Sequence, residues 1–214
     1  MRSLLTGLAC AGMLATTGHA AVFNTYEGDQ AGFLAALGGA PLTLQDFSAF
    51  NNGDDLLGAQ ILPDLFAGTS GSQLTVFGSN KSMFGQSRND EVFSYSLVSE
   101  LGYTALGFDI RSFDPDTPGP IEVVIGFADG MSTSLDLFPD NAVEGDPYFF
   151  GILASSPIVR LVLFEGPETD GDCCEEVSLD DFIAAQAQIP VPGAALLFLS
   201  ALGAASVRSR LRKA

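Results

Sequence analysis

The chain has 214 residues, with 26 Asp and Glu against nine Lys and Arg, a formal charge of −17, one His, three Cys and no Trp. Every acid falls between Ala21 and Gln188, where only Lys81, Arg88, Arg111 and Arg160 oppose them, so that stretch carries −22. A field of that sign repels nucleic acid, anionic lipid and acidic polysaccharide, which excludes a nucleic-acid partner.

At the N-terminus, Arg2 supplies a positive charge and Leu4–Ala15 is apolar or small throughout. Gly18 and Ala20 then stand at −3 and −1 of a cut between Ala20 and Ala21, the pattern of a secretory signal peptide over residues 1–20. A lipid-bearing Cys10 would need an apolar residue three places earlier, where Gly7 sits. Cleavage removes His19, the single histidine. Ser-His-Asp, Cys-His and His-ligated zinc chemistry are then closed to the mature chain.

Residues 21–188 are one domain's worth of chain and read as mostly β. A short helix is predicted over Gln30–Leu37: Asp29 can cap it, Phe33, Leu34 and Leu37 share a face, and Gly38-Gly39 stops it. Runs rich in Val, Ile, Leu, Phe and Tyr predict strands at Leu42–Phe47, Gln73–Gly78, Val92–Val98, Ala105–Ser112, Ile121–Phe127, Ser132–Phe138, Tyr148–Leu153, Ile158–Phe164 and Val177–Ala184. Ala128-Asp129-Gly130 is a tight hairpin signal, and the proline-rich stretches 114–120 and 139–147 are loops. Many short strands with one helix indicate an antiparallel β-sandwich of jelly-roll type, with 17 Phe filling the core in place of Trp.

Two segments pair a carboxylate with a following core Phe: Asp46-Phe47 near the start and Asp181-Phe182 near the end. In jelly rolls the first and last strands commonly lie side by side, which would bring Asp46 and Asp181 together. With Glu27 in the preceding loop, the arrangement is similar to the structural Ca²⁺ site of several carbohydrate-binding sandwich modules. That resemblance implies a cation held by Glu27, Asp46 and Asp181, since Ca²⁺ takes carboxylate and carbonyl oxygens. The competing reading puts these acids on edge strands facing solvent, where charge discourages aggregation. Strand alternation points Asp180 away from Asp181. The loop Glu165–Glu176 holds six acids, of which Asp170, Asp172 and Glu175 are candidates for a second cation site, but it lacks the ligand spacing of an EF-hand. Within it, Cys173 and Cys174 are adjacent. A vicinal disulfide, an intermolecular pair and metal ligation are the three readings, the first favoured by an oxidising destination.

The C-terminus reads Ile189-Pro190-Val191-Pro192-Gly193, an apolar run 194–207, then Arg208, Arg210, Arg212 and Lys213 in the last seven residues. As a helix the run measures about 21 Å at ~1.5 Å per residue, so it spans a hydrocarbon core of about 30 Å only with its flanks snorkelling or the bilayer thinning. The basic tail predicts that it stays cytoplasmic while the body is exported. This breaker, helix and basic tail resemble the PEP-CTERM sorting domain of exported bacterial proteins, in its VPLPA-CTERM variety. Both prolines are in register, with Ile189 for the family's Val and Gly193 for its Ala. The resemblance implies a Gram-negative envelope, an exosortase that cuts near 189–193, transient anchoring in the inner membrane, delivery to the cell surface or matrix, and a link to exopolysaccharide or biofilm.

The sequence therefore predicts an exported, non-enzymatic surface protein. Two alternatives remain open: a Ca²⁺-dependent carbohydrate-binding module, and a polysaccharide-acting enzyme that uses two carboxylates, which needs only about 5–9.5 Å between them.

Overall fold

A computed structural model describes residues 21–79, 81–86, 94–111, 121–137, 147–164 and 177–186. The segment up to Ala20, the loop carrying Cys173 and Cys174, and everything from residue 187 onward lie outside the described residues. Among those described, no helix is long and apolar enough to cross a membrane.

The elements in chain order are β1 (Phe23–Glu27), α1 (Gln30–Ala36), β2 (Leu42–Gln45), β3 (Gln60–Leu62), β4 (Leu65–Thr69), β5 (Gln73–Phe77), β6 (Ser82–Gln86), β7 (Ser94–Arg111), β8 (Ile121–Phe127), β9 (Ser132–Leu137), β10 (Tyr148–Phe164) and β11 (Ser178–Ala185). All strand pairs are antiparallel, and the main path runs β5-β6-β11-β7-β10-β8-β9. β1 adds to β10, β2 to β11, and β4 joins β3 to β7.

β7 and β10 belong to both layers of the sandwich. Their outer halves pair Ser94–Val98 with Arg160–Phe164, flanked by β4 and β8; their inner halves pair Ala105–Ile110 with Tyr148–Leu153, flanked by β11 and β1. The register breaks between Leu153 and Ile158, where Gly102 takes φ +75° and packs against Pro157. A Cβ at Gly102 would lie 2.7 Å from Pro157 Cβ. A proline without an amide hydrogen and a glycine at positive φ are what a strand needs to turn a corner. This is why four predicted strands, Val92–Val98 with Ala105–Ser112 and Tyr148–Leu153 with Ile158–Phe164, are two long ones.

Between the layers, the inward-facing residues of the central strands meet. Tyr95, Leu97, Val123, Ile125, Leu161 and Leu163 face Leu106, Phe108, Phe150, Ile152, Leu179 and Phe182, all essentially inaccessible. Tyr95 keeps its hydroxyl satisfied in this core, accepting from the Gly85 amide at 2.9 Å and donating to the Val177 carbonyl.

A second, smaller core lies on the outer face of the layer that contains β11. There α1 sets Phe33 and Leu37 on Ala105, Phe149, Leu153, Ile183 and Ala185. The helix starts where Asp29 Oδ1 accepts from the Gly32 amide at 2.8 Å, and it closes before Gly38 and Gly39, both at positive φ, in agreement with its prediction. Phe33 can descend onto the sheet because β7 and β10 place Gly107 opposite Gly151 beneath it. A Cβ at either glycine would come 2.7–2.8 Å from the ring of Phe149. The hairpin at Ala128-Asp129-Gly130 is also as predicted, with Gly130 at φ +84° and Asp129 Oδ1 accepting from the Met131 amide.

Candidate functional site

The predicted neighbours β2 and β11 are paired, with Phe182 opposite Gln45 and Ala185 opposite Leu42. Both Asp-Phe segments leave the regular strand geometry. Phe47 has φ +55° and Asp181 has φ +48°, a left-handed conformation that costs non-glycine residues ~1 kcal/mol or more. At Phe47 the backbone is secured locally: its amide donates to Gln45 Oε1 at 2.8 Å, while Gln45 Nε2 donates to the Ile61 carbonyl. The reward is packing, because Phe47 then meets Phe182 edge-on at 5.8 Å inside the core.

On β11 the same conformation makes a β-bulge. Asp180 sits opposite Asp109 and Ile183 opposite Gly107, so Asp181 and Phe182 together face Phe108. The extra residue resets the alternation. Leu179 and Phe182 both enter the main core although they are three apart, while Asp180 and Ile183 lie on the outer face.

Asp180 therefore does not point to solvent. It is buried beside Asp109, and a single guanidinium, Arg111, serves three carboxylates. Arg111 Nη2 donates to Asp181 Oδ2 at 2.9 Å and lies 3.7 Å from Asp109 Oδ2. Its buried Nε is 3.1 Å from Asp180 Oδ2 without hydrogen-bonding geometry. Asp180 Oδ1 accepts the Asp181 amide at 2.8 Å. Burial pushes the Asp180 carboxyl up to about 6, with the charges of Asp181 and Asp109 adding and Arg111 opposing. Asp109 is raised as well, again first by burial and then by Asp181. Asp109, Arg111 and Asp180 were not among the candidates from sequence. A signal existed, since Phe108-Asp109-Ile110-Arg111 alternates apolar and charged residues on a predicted strand and so puts opposite charges on one face.

An open groove of about 440 Å³ runs along the outer face between α1 and β2. Gln30 and Leu34 form one wall, Leu42 and Leu44 the other, Ile183 lies between, and Asp46 with Asp181 marks one end. Leu34 is 39%, Leu42 44% and Leu44 65% exposed, so the groove offers apolar surface to solvent. Asp46 forms an Asx turn, its Oδ1 accepting the Ser48 amide at 3.0 Å, and the hydrogen bonds from Ser48 hold its carboxyl below the ordinary value.

Of the three carboxylates expected to hold Ca²⁺, Asp46 and Asp181 line this groove and Glu27 does not. Glu27 lies at the end of β1, opposite Phe150, and accepts from Tyr148 Oη at 3.3 Å. Among the described residues no group of three or more His, Cys, Asp or Glu is arranged to hold a metal ion. Asp181 is instead within 2.9 Å of Arg111 Nη2. Ala20, Cys173, Cys174 and the motif Ile189, Pro190, Val191, Pro192 and Gly193 lie outside the described residues; Ala21 is the first residue within them.

No family model matches the chain, and no curated protein matches it. Among solved structures, a family 29 carbohydrate-binding module from Piromyces equi aligns with 70% of this chain and 93% of its own, at 13% identity and a TM-score of 0.41. A variant of a second module of that family, complexed with mannohexaose, covers 70% and 94% at 12% identity and a TM-score of 0.39. Another variant, complexed with cellulohexaose, covers 69% and 94% at 11% identity and a TM-score of 0.39. Similarity of this degree assigns neither a ligand nor a site to the present chain.

Proposed function

We propose that the chain is an exported, non-enzymatic protein of the cell surface or extracellular matrix, anchored in the inner membrane and sorted by an exosortase, whose β-sandwich holds a neutral polysaccharide in the groove between α1 and β2. The groove carries the binding part of this reading. It is open at the surface, apolar along Leu34, Leu42 and Leu44, and ends in the carboxylates of Asp46 and Asp181. Apolar walls accept the non-polar faces of sugar rings, and fixed carboxylates accept their hydroxyl hydrogens. The surplus negative charge of residues 21–188 favours a neutral chain over an acidic one.

The carboxylates argue against turnover. A glycosidase acid needs a raised pKa and access to the scissile bond. Asp46 has access but a lowered pKa. Asp180 has a raised pKa, but its side chain is only 4% exposed. Two of the four tyrosines, Tyr95 and Tyr103, are buried in the main core and offer no aromatic platform.

Titration calorimetry against neutral and uronic-acid polysaccharides tests the binding. Saturable binding of a neutral glycan is expected, weakened about five- to 30-fold by Asp46→Asn with Leu44→Ala, the loss of about one to two kcal/mol of polar and apolar contact. Absence of binding across the panel, or binding untouched by these changes, refutes it. Sorting is tested by intact mass spectrometry of the protein from its host: a species starting at Ala21 and ending within 189–194 is expected, and one still ending at Ala214 would make the tail a plain anchor.

A further inference from the structure

We infer that the groove between α1 and β2 is also the docking site of the chain's own apolar segment 194–207, which covers it whenever no membrane receives that segment. The inference uses the groove of the proposed function and needs no glycan.

Chain geometry brings the segment there. β11 ends at Ala185, opposite Leu42, at the apolar end of the groove. The eight residues 186–193 can reach up to about 26 Å, enough to reverse direction. A helical 194–207 run is about 21 Å long. Leu42 to Asp46 spans about 14 Å of extended chain. A run laid back over the groove therefore extends past its far end. Arg208, Arg210, Arg212 and Lys213 then fall beside Asp46 and Asp181, the end that carries negative charge.

Charge and surface both match. The segment itself carries no charge and its only polar side chains are Ser200 and Ser206, while the groove exposes Leu34, Leu42 and Leu44. The four tail cations are the largest positive group on a chain whose body has four cations in all. Lys81 lies near Asp46 and lowers its pKa slightly, but its Nζ donates to the Ser48 carbonyl at 2.8 Å, leaving the Asp46 carboxylate exposed. Membrane and groove then compete for one apolar segment, and cutting at 189–193 frees the groove permanently.

Hydrogen exchange on the full chain tests this. Without membranes, amides of residues 30–45 in the unaltered chain should exchange at least about fivefold more slowly than in the Leu197→Asp, Phe198→Asp variant, a difference of about 1 kcal/mol in local opening. Adding phosphatidylcholine vesicles should raise the unaltered chain's exchange to the variant's level. Amides of β7 and β10, unchanged in all samples, verify that the variant is folded. Equal exchange at residues 30–45 in the two chains without vesicles overturns the inference. So does protection that vesicles leave intact, or protection lost on about tenfold dilution, which would make a second copy the occupant. Failure of glycan binding leaves all of these results untouched.

Discussion

Replacing Asp180 with Asn should stabilise the protein at neutral pH, although the change removes a carboxylate 3.1 Å from an arginine nitrogen. The native Asp180 pKa is about 6 against an ordinary 3.8. Because the native value is raised, the folded state holds the proton more tightly than the unfolded chain does. The associated stability is complete below pH 3.8 and is lost as pH rises through about 6. At ~1.4 kcal/mol per unit, the full loss is about 3 kcal/mol, an upper figure because Arg111 and its surroundings relax. Asn mimics the protonated form, and its Oδ1 can still accept the Asp181 amide. Its amide group, facing Arg111 Nε, costs about 1 kcal/mol. The variant should therefore be about 1–2 kcal/mol more stable than the parent near pH 7.5, or roughly 2–8 °C in melting temperature for a domain of this size. At pH 4 it should be equal or slightly less stable. Urea unfolding of both proteins across that range measures the difference. Asp109 titrates in the same direction in both and largely cancels. A variant destabilised equally at both pH values would refute the reasoning, since Asp180 would then be worth more as an ion-pair partner than burial costs it.

Gly107→Ala should cost about 1–3 kcal/mol, because the new Cβ would lie 2.7 Å from Phe149 Cζ and 3.1 Å from Phe33 Cε1. An unchanged denaturation midpoint would mean that α1 is not seated on this glycine pair. Calcium and a chelator should give superimposable melting curves, since Arg111 already holds Asp181 Oδ2 at 2.9 Å and Glu27 lies outside the groove. A calcium-dependent rise that Asp181→Asn abolishes would instead place a cation between Asp46 and Asp181.

How far the sequence determines this structure differs by element. Asp29 and the Gly38-Gly39 stop made α1 legible, because caps are local chemistry. The adjacency of β2 and β11 was expected from the side-by-side first and last strands of a jelly roll, and the two strands do pair. The short strands β1, β3, β4 and β6 were not legible: Gln60-Ile-Leu62 is too brief for a period, and the ladders of β1, β4 and β6 are completed by β10, β7 and β11, far along the chain. The bulge at Asp181 defeated strict alternation at the one place where it mattered. Nothing local asks Asp181 for a positive φ; the demand comes from seating Phe182 against Phe47 and Phe108. Without the bulge, neither the burial of Asp180 nor its meeting with Asp109 and Arg111 can be foreseen.

The two strands that turn the corner at Gly102 and Pro157 also govern how the molecule can come apart. In a sandwich of separate sheets, one layer can slide or detach while the other persists. Here β7 and β10 are central in both layers, so shearing one layer strips the hydrogen-bond ladder of its neighbour. Loss of either layer exposes the shared core, and partly unfolded forms retaining half the sandwich are disfavoured. For a chain that becomes available from its N-terminus onward, the same linkage has a temporal cost. β7 cannot complete its ladder until the C-terminal part of β10 and then β11 have emerged, so the sandwich closes late and all at once.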